Sequence, residues 1–160
     1  LEESFQLYPW KKPDFPWPEK IEVAVAAFIL NKNKQVLLIK RKDNSYWALP
    51  TGRMERGETL EEAVVREIKE ELNLKIRVKS LVGVYSHPSD LVLSYRSGET
   101  IQFIAACFFC KIEEGELRNN QSEILESGFY SVSQLPQPMV DSHQRWIEDG
   151  MRNQRSVVFR

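Results

Sequence analysis

Two uninterrupted apolar segments, residues 23–30 and 103–110, constrain the fold of this 160-residue chain most strongly. Both are far shorter than the ~20 apolar residues that a membrane-spanning helix needs. The first segment is rich in β-branched and small residues, which favours a strand. Because it carries apolar residues on both faces of that strand, we expect a central strand that is covered on both sides.

Further strands and helices alternate along the chain, which has the length of roughly one domain. We predict a β-hairpin from residues 21–30 and 35–40 around a polar turn at 31–34. A loop at 50–57, a helix from 59 and a tight turn at 96–99 follow, and residues 133–152 should be mostly helical, with an interruption at Pro136 and Pro138. The other predicted strands are 76–85, 91–95, 101–112 and 123–132. Because strands and helices intermix, we expect an α+β fold with a mixed sheet.

Residues 1–20 form a separate segment, rich in proline and aromatic residues, ahead of a domain at 21–160. Repeated prolines disfavour both a helix and a central strand there. Trp10, Phe15 and Trp17 would seldom stay free in water. We expect an extended arm packed on the domain or on the second subunit of a homodimer; a disordered tail and a proline-rich peptide ligand are the alternatives.

The charge balance excludes a general nucleic-acid binder, because 22 basic and 23 acidic residues leave a net charge of −1. Cys107 and Cys110 lie three apart on a predicted strand and therefore face opposite sides. They are expected to be buried free thiols rather than a shared metal site. No basic segment followed by an apolar stretch opens the chain, so we expect a cytoplasmic protein with no membrane partner.

The helix that starts near residue 59 has the clearest local signals. Thr59 fits the N-cap of a capping box in which Glu62 reaches back. Asn73 suits the left-handed turn that ends a helix. An apolar stripe recurs every four residues: Leu60, Val64, Ile68 and Leu72. The stripe predicts the buried face of an amphipathic helix.

Three glutamates, Glu67, Glu70 and Glu71, share another face of this helix because they stand at positions i, i+3 and i+4. Like charges at this spacing repel, and a hard divalent cation would relieve the repulsion. Mg²⁺ prefers carboxylate oxygens and is commonly completed by substrate phosphates. The cluster therefore favours metal-assisted hydrolysis of a phosphate anhydride. For any one of these glutamates, a merely solvated helix face is the alternative.

The full spacing resembles the Nudix box, the 23-residue signature of the Nudix hydrolases. Gly52 is followed after five residues by Glu58, and after seven more by Arg66 and Glu67. Ile68, Glu70, Glu71, Asn73 and Leu74 complete the pattern, and only Asn73 departs from it, since the family has Gly there. The resemblance implies an α/β/α sandwich with a mixed sheet between helices, extending over about 21–147.

The resemblance also implies an activity and its residues. Nudix hydrolases cleave a nucleoside diphosphate linked to another moiety, using Mg²⁺ or Mn²⁺. By the resemblance, Glu70 and Glu71 are the main metal ligands, and Glu67 is a third ligand or the general base. Arg66 orients the glutamates, and Glu58 supports Arg66 or touches a metal-bound water. Gly52 gives the backbone close access to a ligand.

Some relatives use a glutamate further along the chain as the base, and Glu123 and Glu126 are the candidates. The substrate is expected to be a small nucleotide, with no stable nucleic-acid partner. ADP-ribose and nucleoside triphosphates both fit, and Pro88 lies where a proline often marks ADP-ribose hydrolases. A domain that senses a nucleotide without cleaving it is the alternative function.

Four other residues are expected to have structural roles. His87 belongs to a loop that could border the cleft, and His143 is predicted on a helix surface. Tyr95 is expected at an exposed hairpin tip, with contact to a base or phosphate as the alternative. Trp47 is expected in the core, with stacking on a base as the alternative.

Charge is unevenly distributed. Residues 55–71 carry a net charge of −4, and the rest of the chain carries +3. This division suits a cation at the centre and a phosphate-bearing substrate around it.

Overall fold

The computed structural model describes residues 5–7, 15–152 and 156–160. In that part of the chain the helices are α1 (Leu60–Leu72), α2 (Pro88–Leu91) and α3 (Asp141–Arg152), with a 3₁₀ turn at Val132–Gln134. The strands are β1 (Phe5–Leu7), β2 (Lys20–Ile29), β3 (Val36–Arg41), β4 (Trp47–Ala48), β5 (Thr51–Arg53), β6 (Lys75–Tyr85), β7 (Val92–Tyr95), β8 (Thr100–Glu114), β9 (Ile124–Tyr130) and β10 (Val158–Phe159).

The main sheet is mixed and is built around the long strand β8. One edge of β8 pairs in parallel with β2, from Lys20–Ile101 to Ile29–Cys110. Its other edge pairs antiparallel with β7 near its start and with β6 along the rest. Strand β5 adds to the outer edge of β2, and β10 pairs with β6. A second, three-stranded sheet has the order β4-β3-β9.

Strand β2 is central, as predicted, but the predicted hairpin with β3 is wrong. Beyond a single bridge between Leu30 and Val36, β3 lies in the second sheet. The reason is that both hydrogen-bonding edges of β2 are taken, one by β8 and the other by β5. The polar turn was located correctly, but it leads from one sheet to the other. It contains Lys34 with a φ of 58°.

Two apolar clusters lie on opposite sides of the strands, and this confirms the predicted α+β sandwich with a mixed sheet between helices. One cluster contains Val64, Ile68 and Leu72 of α1. The other contains Trp146 and Ile147 of α3. Cys107 and Cys110 are free and buried, and they belong to opposite clusters as predicted.

One further segment differs from the prediction and another agrees with it. The loop expected at 50–57 begins with strand β5, because residues 51–53 pair with 24–26 of β2. The predicted helical segment at 133–152 agrees with the structure, because α3 follows an irregular stretch that contains both prolines and the cis bond Gln137–Pro138. Proline lacks an amide donor, so a helix cannot continue through this stretch.

The N-terminal segment is described only in part. Strand β1 pairs antiparallel with β7 at the edge of the main sheet. Phe15 is half-buried, whereas Trp17 is 82% exposed, and Trp10 lies outside the described residues. Of the described helices, none is long and apolar enough to cross a membrane.

Candidate active site

Helix α1 is fixed at both ends, and this determines where its glutamates lie. The Thr59 side chain accepts a hydrogen bond from the Glu62 amide, and the Glu62 carboxylate accepts one from the Thr59 amide. At the other end Asn73 is left-handed, with φ 59° and ψ 28°, as predicted. Its side-chain amide donates to the Glu116 carbonyl at 3.2 Å. The caps thus set the register of the helix against the sheet.

Arg66 forms hydrogen bonds to three glutamates on and beside the acidic face of α1. Its Nε and Nη2 donate to both carboxylate oxygens of Glu58, and Nη2 also donates to the Arg53 carbonyl at 3.0 Å. Its Nη1 donates to Glu67 at 2.9 Å and to Glu70 at 3.3 Å. The Arg66 hydrogen bonds, helped by the Glu55 amide, lower the pKa of Glu58 to about 2. Glu58 therefore stays charged and holds Arg66 between the other glutamates.

Glu71 differs from its neighbours because it is only 6% exposed. Among the described residues, its Oε2 is the only fully buried side-chain oxygen or nitrogen without a hydrogen-bond partner. Burial raises the pKa of Glu71 well above its usual value, and the nearby charges of Glu67 and Glu123 raise it further. An unpaired buried carboxylate is costly in an apo protein and is the kind of group that a cation compensates.

The donor set fits a divalent metal ion, although the ligands are not fully assembled. No group of three or more His, Cys, Asp or Glu side chains in the described ranges is arranged to hold a metal ion as it stands. Two of the three predicted ligands, Glu67 and Glu70, are instead paired with Arg66. The unpartnered Glu71 Oε2 and the all-carboxylate set suit a hard cation such as Mg²⁺.

Gly52 and Glu67 are in close contact, which explains the glycine. A Cβ atom on Gly52 would overlap the Cγ and Cδ atoms of Glu67. Burial raises the pKa of Glu67, and this effect is partly offset by Arg66. The glycine thus leaves room for a half-buried carboxylate beside strand β5.

A cleft of about 760 Å³ opens beside α1. Of the predicted site residues, the structure brings six to this cleft: Gly52, Arg66, Glu67, Glu70, Glu71 and Glu123. Glu58 does not line the cleft, but its carboxylate accepts a hydrogen bond from Arg66, which does. Glu126 lies elsewhere, 60% exposed in its side chain and 3.6 Å from Lys40. The structure therefore separates the two downstream candidates.

Two cleft arginines were missed by the sequence analysis. Arg41 lies at the end of β3 and pairs with both oxygens of Asp43, at 2.9 and 2.6 Å. The Arg53 guanidinium lies 5.2 Å from the ring centroids of both Tyr95 and Phe103. Tyr95 therefore lines the cleft instead of an exposed hairpin tip. No local spacing marks these arginines, because they reach the cleft from strands of two different sheets, β3 and β5.

His143 was predicted on a helix surface, and this is wrong. It is 8% exposed and lines the cleft. Its Nδ1 accepts a hydrogen bond from the Leu49 amide at 3.1 Å. The ring stacks on Trp146 with centroids 4.5 Å apart. His143, Trp146, Ile147 and Gly150 stand at helical spacing, a stripe that could have indicated burial.

The remaining aromatic and histidine predictions have mixed outcomes. Trp47 is buried and packs edge-on against Tyr130, as predicted. His87 does not line the cleft; its Nδ1 accepts a hydrogen bond from the Ser89 amide and caps α2.

Comparison with known proteins is consistent with this geometry. A family model described as the NUDIX domain matches residues 20–150. The chain is 42% identical over 127 residues to an ADP-ribose pyrophosphatase of Methanocaldococcus jannaschii, covering 78% of this chain and 70% of that protein. It is 36% identical over 121 residues to a putative 8-oxo-dGTP diphosphatase of Bacillus subtilis, covering 76% and 74%.

Solved structures have the same architecture. A MutT NUDIX hydrolase from Burkholderia pseudomallei superposes with a TM-score of 0.70 at 29% identity. The match covers 82% of this chain and 98% of that one. This chain therefore has the overall fold of a NUDIX hydrolase of known structure.

Proposed function

Since this chain belongs to the Nudix hydrolase family, we propose that the cleft beside α1 is its active site. The chain is a pyrophosphohydrolase that acts on nucleotide derivatives. The single observation that carries the assignment is the buried, unpartnered Glu71 Oε2, which faces the charges of Glu67 and Glu123. Such a group is unfavourable in a merely structural helix and useful in a cation site.

Hydrolases of this family generally use divalent metal ions, and we propose Mg²⁺ or Mn²⁺ bound by Glu67, Glu70 and Glu71. When bound, such an ion neutralises charge on the phosphate oxygens and activates the attacking water. Arg66 holds Glu67 and Glu70 on the cleft side of α1, and Glu58 fixes Arg66. Arg41 and Arg53 line the same cleft and offer positive charge to the substrate phosphates.

We propose Glu123 as the general base that takes a proton from the attacking water. Glu123 lines the cleft, and none of the described residues forms a hydrogen bond or ion pair with its carboxylate. Glu67 is less suited, because its Oε1 already accepts a hydrogen bond from Arg66. A base must have an unoccupied carboxylate within reach of the reacting water.

Glu123→Gln is therefore expected to lower kcat by about 100-fold, the usual contribution of a general base. The matched control is Glu126→Gln, the same exchange three residues away on the same strand region but outside the cleft. Its kcat should stay within about twofold of wild type. Steady-state kinetics at a saturating metal concentration measures kcat for both variants. Equal kcat values of the two variants would contradict the assignment of Glu123 as the base.

For the substrate, we propose a nucleoside diphosphate linked to a sugar, such as ADP-ribose. The 42% identity to an ADP-ribose pyrophosphatase supports this choice. The putative 8-oxo-dGTP diphosphatase among the relatives makes an oxidised nucleoside triphosphate the second candidate. Both contain the phosphoric anhydride that the proposed metal site would accommodate.

A substrate panel tests the proposed function: ADP-ribose, NADH, a dinucleoside polyphosphate and 8-oxo-dGTP, each with Mg²⁺ and with Mn²⁺. We expect ADP-ribose to give AMP and ribose 5-phosphate, and to have the highest kcat/KM. Release of a nucleoside monophosphate and pyrophosphate from 8-oxo-dGTP would favour the second candidate. Tight binding without any product would contradict the enzyme and identify a nucleotide-sensing domain.

The remaining assignments are also proposals. We propose that residues 21–160 form the catalytic domain, which the family match at 20–150 supports. We propose a cytoplasmic location. A homodimer that includes the N-terminal arm is testable by gel filtration with and without residues 1–20.

A further inference from the structure

The end of the cleft formed by α2, β7 and α3 differs chemically from the acidic end at α1. Its walls include Leu91, Leu93 and Val140, together with Trp146. The Asp90 carboxylate in this region is paired with Arg145 at 2.6 Å. A flat and largely apolar ring placed against these side chains would be removed from water.

His143 contributes a polar atom to this apolar end. Its Nδ1 accepts the Leu49 amide hydrogen, so the proton of the neutral ring must be on Nε2. No described residue accepts a hydrogen bond from Nε2. Because His143 lines the cleft and its Nδ1 is occupied by the Leu49 amide, Nε2 is the ring nitrogen left to donate to a bound molecule.

The orientation and charge state of this ring are both fixed. Stacking on Trp146 and the bond from Leu49 hold its plane, and Trp146 in turn stacks on Tyr85 at 4.4 Å. Burial, together with the charge of Arg41, lowers the pKa of His143 to about 3. The imidazole is thus neutral at physiological pH and offers a single rigid donor.

We propose that the His143 Nε2–H group is a specificity-determining donor that binds a ring nitrogen or carbonyl oxygen of the substrate's nucleobase. The base lies between the apolar walls of this end, and its phosphates extend toward α1. A pocket of this kind combines an apolar surface with one well-placed polar group. The inference rests on the proposed function, because it assumes that a nucleotide occupies the cleft.

The test uses two variants that separate the two ring nitrogens. In His143→Asn, the amide oxygen takes the place of Nδ1 and can keep the bond to Leu49, but nothing replaces Nε2–H. In His143→Gln, the amide nitrogen lies at about the distance of Nε2 and keeps a donor to the cleft. Calorimetric titration with AMP, GMP and ribose 5-phosphate measures binding without turnover, and thermal unfolding measures the structural role.

We expect His143→Asn to weaken binding of AMP or GMP by about tenfold, the loss of one good hydrogen bond. Ribose 5-phosphate has no base, so its affinity should change by less than about twofold. His143→Gln should bind the nucleotide within about threefold of wild type, although it unfolds at a lower temperature.

Three results would overturn the inference. These are equal nucleotide affinity of His143→Asn and wild type, equal weakening of nucleotide and ribose 5-phosphate, and no saturable binding of AMP or GMP to wild type. Failure of the proposed function has a different signature. It would leave the wild-type protein without product from any substrate of the panel, whatever the variants do to binding.

Discussion

Glu71→Gln is expected to lower kcat/KM by about 10⁴-fold while making the metal-free protein more stable. The activity falls because the exchange removes the charge of the most buried carboxylate in the proposed metal site. Loss of a group that only supports a metal ligand typically lowers metal affinity or activity 10–100-fold, so loss of a ligand itself should lower activity more. A 10⁴-fold loss corresponds to about 5.4 kcal/mol of transition-state stabilisation.

The free energy of unfolding of the metal-free protein is expected to rise, although activity falls. In the absence of metal, Glu71 is a buried carboxylate with an unpartnered oxygen among other acidic groups. An amide has no charge and can donate to the surrounding carboxylates. Removing a carboxyl group whose ionised form is disfavoured by burial should raise the free energy of unfolding by about 1 kcal/mol or more. For a chain of this length that is about 3 °C in Tm.

Thermal unfolding with and without Mn²⁺ measures both effects. An ion at 100 times its Kd should stabilise wild type by about 2.7 kcal/mol, and this increment should largely disappear in Glu71→Gln. The matched control is Glu61→Gln, the same exchange on an exposed position of α1. It should keep both the activity and the Mn²⁺ increment. A Glu71→Gln protein with wild-type turnover would rule out the proposed metal site.

Gly52→Ala is expected to lower kcat/KM by about 10³-fold with little loss of fold. The added Cβ atom cannot coexist with the present position of Glu67, because it overlaps the Cγ and Cδ atoms of that side chain. The long Glu67 side chain can turn away at small cost, so the fold survives. The carboxylate is then displaced from both Arg66 and the cleft, and a misplacement of about 1 Å can already cost 100-fold.

Gly128→Ala is the control for Gly52→Ala. Gly128 lies in β9 outside the cleft, and the nearest atom to an added Cβ is 3.4 Å away, an ordinary contact. The control should therefore retain activity within about twofold. Gly52→Ala should have a Tm within a few degrees of wild type and an unchanged circular dichroism spectrum. Comparable kcat/KM for the two variants would show that activity does not depend on the present position of the Glu67 carboxylate.

The activities of Glu71→Gln and Gly52→Ala test separately the charge of the carboxylates and their position. Glu71→Gln keeps the geometry of α1 and removes a charge, whereas Gly52→Ala keeps every charge and moves one carboxylate. Loss of activity in both would show that the site needs a full set of charges in a fixed arrangement. The spacing of residues 52–74 places these charges in that arrangement.

Much of the site could be predicted because it is local in the chain. A helix places residues three and four apart on one face whatever surrounds it, so Glu67, Glu70 and Glu71 had to lie together. The same is true of the capping box at Thr59 and of the left-handed end at Asn73. The strand predictions at 21–30 and 76–85 also hold, since burial on one or both faces is encoded in the sequence pattern.

Other predictions failed because they depend on competition between distant segments. The hairpin of β2 and β3 was a reasonable local prediction, but β5 and β8 took both edges of β2. His143 was assigned to a surface because its hydrogen-bond partner, the Leu49 amide, lies 94 residues earlier in the chain. No periodicity within α3 indicates which distant backbone group will approach it.

The sequence by itself thus determined the acidic helix, the strand pattern and the family, because each rests on residues within a few turns or on a fixed spacing. Only the tertiary structure decided that Glu123 faces the cleft and Glu126 does not, and that Arg41, Arg53 and His143 line it. These placements follow from which strand edges pair and which helix face packs inward. Both are settled by burial and hydrogen-bond satisfaction over the whole chain.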